Sequence, residues 1–330
     1  MSSPRKAAAR ALYITAPRSV EVLPITVHCG EDEIEVTSTL MGISAGSEML
    51  AYNGALPQGN HGETLSSLQD ASAYPVKYGY VNVGKTADGS RLFAFYPHQD
   101  FFSIPPEECV FLPDDVSNED AIFLANMETA LGIVHDARPL VGDVLFVAGQ
   151  GVVGLLVAEL LQRSGHSRVF TADLSSMRRE WSEKLGCTAL DPETVDVADY
   201  LKHNTGGRGV DIAINVSASE TGLQLCVDAT AFEGTVIEAS WYGSKDTTVS
   251  LGRAFHRRRL TIKSSQVSHI AAALSPRWTK ERRMAFTIDL LREIKPGKYI
   301  THRVPLDRGA DAFRLLQEKR NEVLQIALEP

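Results

Sequence analysis

Cysteine is scarce in this chain. Four residues in 330, Cys29, Cys109, Cys187 and Cys226, are widely scattered. That spacing offers no C-x-x-C pair and no disulfide framework, so it excludes a small cross-linked secreted scaffold and a cysteine-rich zinc lobe, and fits reduced thiols in a cytoplasm. Basic charge is also short: 33 Lys and Arg stand against 41 Asp and Glu, for a net charge of −8. A negative surface does not recruit nucleic acid or anionic membrane, and the densest basic run, Arg257–Arg259, is only three residues long. No stretch reaches the roughly 18 consecutive apolar residues that a membrane span requires. Residues Met1–Arg10 are basic but are followed by no apolar core, so no signal peptide is expected there. Internal repeats and low-complexity segments are missing as well.

What is present is ordinary globular material: 44% hydrophobic and 22% charged residues, in a chain long enough that two domains are the default. The most informative stretch is Val144–Gly154. An apolar run reading as a buried strand leads directly into Gly149-x-Gly151-x-x-Gly154, and the helical spacing Val153, Leu156, Val157, Leu160, Leu161 follows. The first glycine permits a tight strand-to-helix turn, the second lets a pyrophosphate approach the backbone, and the third lets helix and sheet pack closely. The next strand ends in Asp173, 19 residues after Gly154, at the spacing of a carboxylate that binds a ribose diol. Gly149, Gly151, Val152, Val153, Gly154 and Asp173 are therefore expected to bind a dinucleotide.

The first third of the chain reads as β-rich, with strands at 10–15, 19–23 and 33–40. A polar stretch, 53–74, reads as a surface loop, and helical spacing covers 118–135. From Val144 onward strands at 144–148, 168–172, 188–190, 210–216, 235–239 and 260–264 alternate with helices. That order predicts a doubly wound parallel sheet of about six strands. A helix over 280–294, a strand over 299–304, a helix over 308–318 and a strand over 322–328 close the chain.

This order resembles the medium-chain dehydrogenase/reductase superfamily. The markers are Gly42–Glu48, Tyr52–Gly54, Pro75–Gly79, Gly142–Asp143, Ile300–Val304 and Asp311–Phe313. The resemblance implies a GroES-like catalytic domain formed by 1–126 with 271–330, and a Rossmann domain over 127–270. It implies reversible hydride transfer between NAD(H) and an alcohol or carbonyl of a small-molecule substrate, in a homodimer or homotetramer. The departures from the family are as informative as the matches. Where the zinc-dependent members carry metal ligands, this chain has Ala45 (or Ser44), Tyr80 and Ala125, so no metal is expected. Gly42–Glu48, Asn126–Thr129 and Ser240–Gly243 are similar to the zinc-less branch around the hydroxyethyl-bacteriochlorophyllide dehydrogenases; the tetrapyrrole substrate is not carried over with them.

Without a Lewis acid, a developing alkoxide needs hydrogen-bond donors. Tyr80, at the place of a metal-binding histidine, can donate a proton or simply fill the vacated volume. Ser47 matches the family's relay hydroxyl, although the relay histidine beyond it is Leu50. Asn126, Glu128 and His98 complete the catalytic candidates, and Glu48 is expected to be a structural carboxylate. Thr129 matches the threonine beneath the nicotinamide, and Arg178 a basic ribose contact. Val216, Ser217, Ser240, Trp241, Tyr242, Ser265, Gln266 and Val267 follow sheet strands at the edge where this fold binds its ligand. Asp173 favours NAD; Ser175 and Arg179 are what a 2′-phosphate pocket would use, which keeps NADP as the alternative. Two rival functions remain, an NADPH-dependent quinone or enoyl reductase and a non-catalytic nucleotide-binding protein of the same fold.

Overall fold

A computed structural model describes residues 5–57, 73–165 and 168–330. Most of the polar stretch 53–74 lies outside the described residues. The chain divides into two compact units, one made of residues 1–125, 243–245 and 288–330, the other of 126–242 and 246–287.

The first unit begins with an antiparallel pair, β1 (Arg5–Ala16) and β2 (Ser19–Cys29). A second sheet joins β3 (Ile34–Ile43), β4 (Asn82–Lys85), β5 (Arg91–Ala94), β6 (Phe101–Ile104) and β7 (Cys109–Phe111). Its far edge is built from the end of the chain. Among the later strands, β14 (Ile300–Pro305) lies parallel to β15 (Gln325–Glu329), and β15 pairs antiparallel with β3. The sheet order is β14-β15-β3-β4-β5-β7, with β6 also against β3. The apolar side chains that alternate along these strands form a core around Leu12, Ile14, Met41, Ile43, Tyr78, Phe313 and Leu328. The helix Gly309–Glu318 buries Ala312, Phe313 and Leu316, at i, i+1 and i+4, into it.

The second unit is the alternating one. Its strands β8 (Leu145–Ala148), β9 (Val169–Ala172), β10 (Thr188–Leu190), β11 (Val210–Asn215), β12 (Thr230–Glu238) and β13 (Thr261–Ser264) form one sheet in the order β10-β9-β8-β11-β12-β13. All five pairings are parallel. Renumbered within the sheet this is 3-2-1-4-5-6, the Rossmann order, whose switch point lies between β8 and β11. Strands β8 and β9 are buried at every position, as a parallel sheet covered on both faces requires. With the β-rich, GroES-like first unit, the fold class is the expected one.

The unit boundaries differ from those read in the sequence. The chain returns to the first unit at residue 288, not 271. Side-chain bonds hold the intervening segment to the helix Leu124–Ala137 of the second unit. Lys263 and Ser265 both reach the Asp136 carboxylate at 2.7 Å, Arg283 pairs with Glu128, and the Trp278 ring lies 4.3 Å from that of His135.

Candidate functional site

In the second unit, β8 runs into the glycine turn. Gly149 has φ +93°, and a Cβ there would stand 2.8 Å from Ser217 Cα. Gly154 is the tightest position: a Cβ would meet the Gly149 carbonyl oxygen at 2.0 Å, so only glycine lets the helix Val152–Arg163 start this close to the turn. At Gly151, by contrast, a Cβ would find nothing within 4 Å. The middle glycine caps the helix and leaves open space beside free backbone N–H groups, where a pyrophosphate approaches such a turn. The three glycines thus divide their work as a dinucleotide fingerprint requires.

Asp173 follows β9 and is 10% exposed. One carboxylate oxygen accepts from Gln150 N at 2.7 Å and the other from Ser175 N at 2.9 Å, so the acid is fixed against the glycine turn itself. Arg178 Nη1 lies 3.7 Å from the same carboxylate. Arg179, a candidate for a 2′-phosphate pocket, donates instead to the carbonyls of Asp173 and Leu174 and pairs with Asp191 at 2.7 Å. No sequence pattern marks Gln150. It is fully buried, and its side chain donates to the Gly149 carbonyl while accepting from Ser182. A variable position inside a motif carries no pattern of its own, so only the contacts reveal it.

Beyond β11 and β12 a polar network joins two strand ends. Asn215, fully buried, donates to Glu238 at 2.7 Å and accepts from both the N–H and the hydroxyl of Ser217. Glu238 also accepts from Ser240 N and from the Tyr242 hydroxyl. Burial, then the Glu238 charge, pushes the Tyr242 phenol well up. Ser217, Ser240 and Tyr242 are therefore brought together, whereas Trp241 points outward at 43% exposure. Val216 and Thr129 are partly buried, as is Asn126.

Two sequence expectations change here, for Glu128 and for the Val267 carbonyl. The catalytic candidate Glu128 is locked to Arg283 at 2.8 Å, with that guanidinium only 3% exposed, and is engaged as a structural counter-ion. The same arginine donates to the carbonyls of Val267 and His269, so the Val267 carbonyl is already engaged. Ser265 is tied through its hydroxyl to Asp136, and Gln266 to Ser268.

The first unit holds a second cluster. The Tyr80 hydroxyl is 2.9 Å from Ser47 Oγ, which is 3.0 Å from Ser44 Oγ. Burial raises the Tyr80 phenol above its ordinary range; hydrogen bonds from Ser44 and Ser47 oppose this, and the Glu48 charge reinforces it. Behind the hydroxyls, Glu48 is 1% exposed, accepts from Ser44 N at 2.7 Å, and lies 2.9 Å from His98 Nε2. His98 was expected as an acid or base. Its side chain is wholly buried, so it cannot touch a substrate and becomes instead the partner of Glu48.

Zinc does not fit this donor set. Ala45 and Ala125 offer no ligand, Tyr80 stands in the hydroxyl chain, and Glu48 and His98 are spent on each other. Among the described residues no group of three His, Cys, Asp or Glu could hold a metal ion, and a zinc site needs about four donors.

Fold and glycine turn define the class first: a Rossmann nucleotide-binding unit in one chain with a GroES-like unit. Comparison with known proteins narrows it. Residues 152–283, within the nucleotide-binding unit, match the model of the zinc-binding dehydrogenase family. The match leaves out Ala45, Tyr80 and Ala125. The (R,R)-butanediol dehydrogenase of Bacillus subtilis is 31% identical over 173 residues, 52% of this chain and 47% of that protein. The chain thus spans about half the length of the curated relatives it matches. A crystal structure of the B. subtilis 2R,3R-butanediol dehydrogenase superposes with TM-score 0.80 at 19% identity, covering 98% of this chain and 99% of that one. Two further neighbours carry nucleotides. An Escherichia coli alcohol dehydrogenase is complexed with NADH (TM-score 0.78, 17% identity, 98% and 100% covered). A Sinorhizobium meliloti dehydrogenase is bound to NADP (TM-score 0.76, 16% identity, 98% and 100% covered). No helix among the described residues is long and apolar enough to cross a membrane.

Proposed function

We propose that this chain is a zinc-independent oxidoreductase that interconverts an alcohol and a carbonyl on a small molecule, with NAD(H) as its cofactor. The observation that carries the reading is the hydroxyl chain Tyr80–Ser47–Ser44, whose Tyr80 stands where the resemblance puts a metal-binding histidine. Relatives named for butanediol and D-guloside support a hydroxylated aliphatic or sugar-like substrate. The motifs Gly42–Glu48, Asn126–Thr129 and Ser240–Gly243 support membership of the zinc-less branch.

Bound nicotinamide dinucleotide supplies the hydride chemistry. The residues that would hold it are Gly149, Gly151 and Gly154 with the N-terminal N–H groups of Val152 and Val153, and Asp173 at the adenosine ribose. Thr129, Val216, Ser217 and Ser240 serve the nicotinamide end. NAD is favoured over NADP because the Asp173 carboxylate would repel a 2′-phosphate and Arg179 is already spent on Asp191. The same argument weighs against an NADPH-linked quinone or enoyl reductase. Tyr80 stays protonated at neutral pH, since its phenol is raised, and so can donate to a carbonyl oxygen that becomes an alkoxide.

Replacing Tyr80 by Phe keeps the ring and removes only the hydroxyl. Turnover in a panel of aliphatic ketones and diols is expected to fall about 10²-fold, with NADH affinity intact. Normal turnover in Tyr80→Phe would reduce the tyrosine to a packing residue. A parent protein that binds NADH yet turns over nothing in the panel would support the non-catalytic reading instead.

A further inference from the structure

We infer that the Glu238 carboxylate distinguishes the two redox states of the cofactor: its fixed negative charge, on the nicotinamide half of the sheet, favours the cationic ring of NAD⁺ over the neutral ring of NADH. The inference rests on the NAD-linked reading above.

The placement follows from topology. A dinucleotide lies across the switch point of a Rossmann sheet, with one nucleotide over each half. Asp173, after β9, assigns the adenosine to the half β10-β9-β8, which leaves the nicotinamide nucleotide to β11-β12-β13. Glu238 is the last residue of β12. It stands in register with Asn215 at the end of β11 and with Ser264 at the end of β13. Short contacts link it back to the glycine turn. A Cβ on Gly149 would meet Ser217, Ser217 donates to Asn215 Oδ1 from its N–H at 3.2 Å and its hydroxyl at 2.7 Å, and Asn215 Nδ2 donates to Glu238 Oε2 at 2.7 Å.

The charge is held firmly. Ser240 N donates to Glu238 Oε1 at 2.8 Å, and the Tyr242 hydroxyl to Oε2 at 3.1 Å. Asn215 Nδ2 also donates to that hydroxyl, at 3.0 Å, which leaves the phenolic proton to face the carboxylate. Ser240 Oγ accepts from Ala218 N at 3.0 Å, so the segments after β11 and β12 are tied to each other. Behind them the helix Glu220–Ala229 packs through Gly222, where a Cβ would stand 2.2 Å from Ser217 Oγ.

Joining two strand ends needs only hydrogen bonds, which a neutral side chain can make. A carboxylate adds a charge, and drawing a charge partly out of water costs free energy unless an opposite charge offsets it. Glu238 is half-buried, and its three donors, Asn215, Ser240 and Tyr242, are all uncharged. The cation on the neighbouring strand, Lys263 opposite Ile237, is engaged by Asp136 at 2.7 Å. The oxidised nicotinamide ring carries a positive charge and the reduced ring none, so the missing counter-charge comes with one redox state only.

Equilibrium binding to the full chain tests this with three probes: NAD⁺, NADH and ADP-ribose, which lacks the nicotinamide. In Glu238→Gln the affinity for NAD⁺ is expected to fall about 10-fold, as the loss of one partly screened charge contact implies, while NADH and ADP-ribose change by no more than about 2-fold. Glu238→Asp keeps the charge on a shorter arm and should keep the ratio of NAD⁺ to NADH affinity near that of the parent. In the parent itself, rising ionic strength should shift that ratio toward NADH, since the pyrophosphate contribution is common to both cofactors and cancels. The salt titration needs no variant, so it decides the matter even where Glu238→Gln folds poorly. Equal losses for all three probes, an Asp variant as impaired as the Gln variant, or a ratio indifferent to salt would each reduce Glu238 to a link between strand ends and overturn the inference, leaving the NAD-linked reading intact. A parent that binds none of the three probes overturns that reading, and the role of Glu238 with it.

Discussion

Asp173 shows how much one side chain can decide. Its two oxygens are already engaged by Gln150 N and Ser175 N, so the charge stays in place whether or not a ribose arrives. Asp173→Ser should narrow or reverse the preference for NADH over NADPH, because it removes the diol acceptor and the repulsion together. Fluorescence titration with the two reduced cofactors checks this, and equal affinities in the parent would assign specificity elsewhere. Glu33 offers a test of pH dependence. The Ser103 hydroxyl at 2.7 Å, then Gly30 N at 3.0 Å, hold its carboxyl below the usual range. A lowered folded pKa contributes stability above the unfolded carboxylate value, and that contribution is lost as pH falls through the folded one. The stability gap between the parent and Ser103→Ala, read from urea melts, should therefore be widest near neutral pH and narrow on acidification toward pH 3. A gap that stays constant would mean that Ser103 acts through packing alone.

Among the elements, the helix Leu124–Ala137 and the helix Lys280–Ile294 are joined by the Glu128–Arg283 pair, which also draws in the carbonyls of Val267 and His269. Arg283→Met leaves a buried carboxylate without its counter-ion and is expected to cost about 3–5 kcal/mol. Adding Glu128→Gln should recover a substantial part of that, since the residual charge is then gone. Chemical denaturation of the two single variants and the double variant measures it. Simple additivity of the two single losses would show that the residues are not coupled. The amphipathic spacing that placed the helix over 280–294 was plain in the sequence and is matched in the fold. Its allegiance was not: periodicity reports a buried face but not what covers it.

For the whole molecule, the donor set among the described residues argues against zinc. Purified protein is expected to contain far less than one zinc per chain by elemental analysis, and a stoichiometric, tightly held zinc would remove the basis for hydroxyl-based chemistry. The strand alternation, the glycine turn and Asp173 were legible because each is a local rule: backbone sterics demand glycine where φ is positive or a Cβ would strike a carbonyl, and a parallel sheet demands continuous apolar strands. Sequence alone thus determined the doubly wound parallel sheet and the glycine turn that leads into its first helix. What the tertiary structure alone decided was the partnership of residues far apart in the chain. His98 and Glu48, 50 residues apart, form a buried pair; Glu128 and Arg283, 155 apart, form another; Ser44, Ser47 and Tyr80 form a hydroxyl chain. A titratable side chain has the same letter whether it faces water, substrate or a counter-ion, and its chemistry is set by which of these the fold brings within about 3 Å.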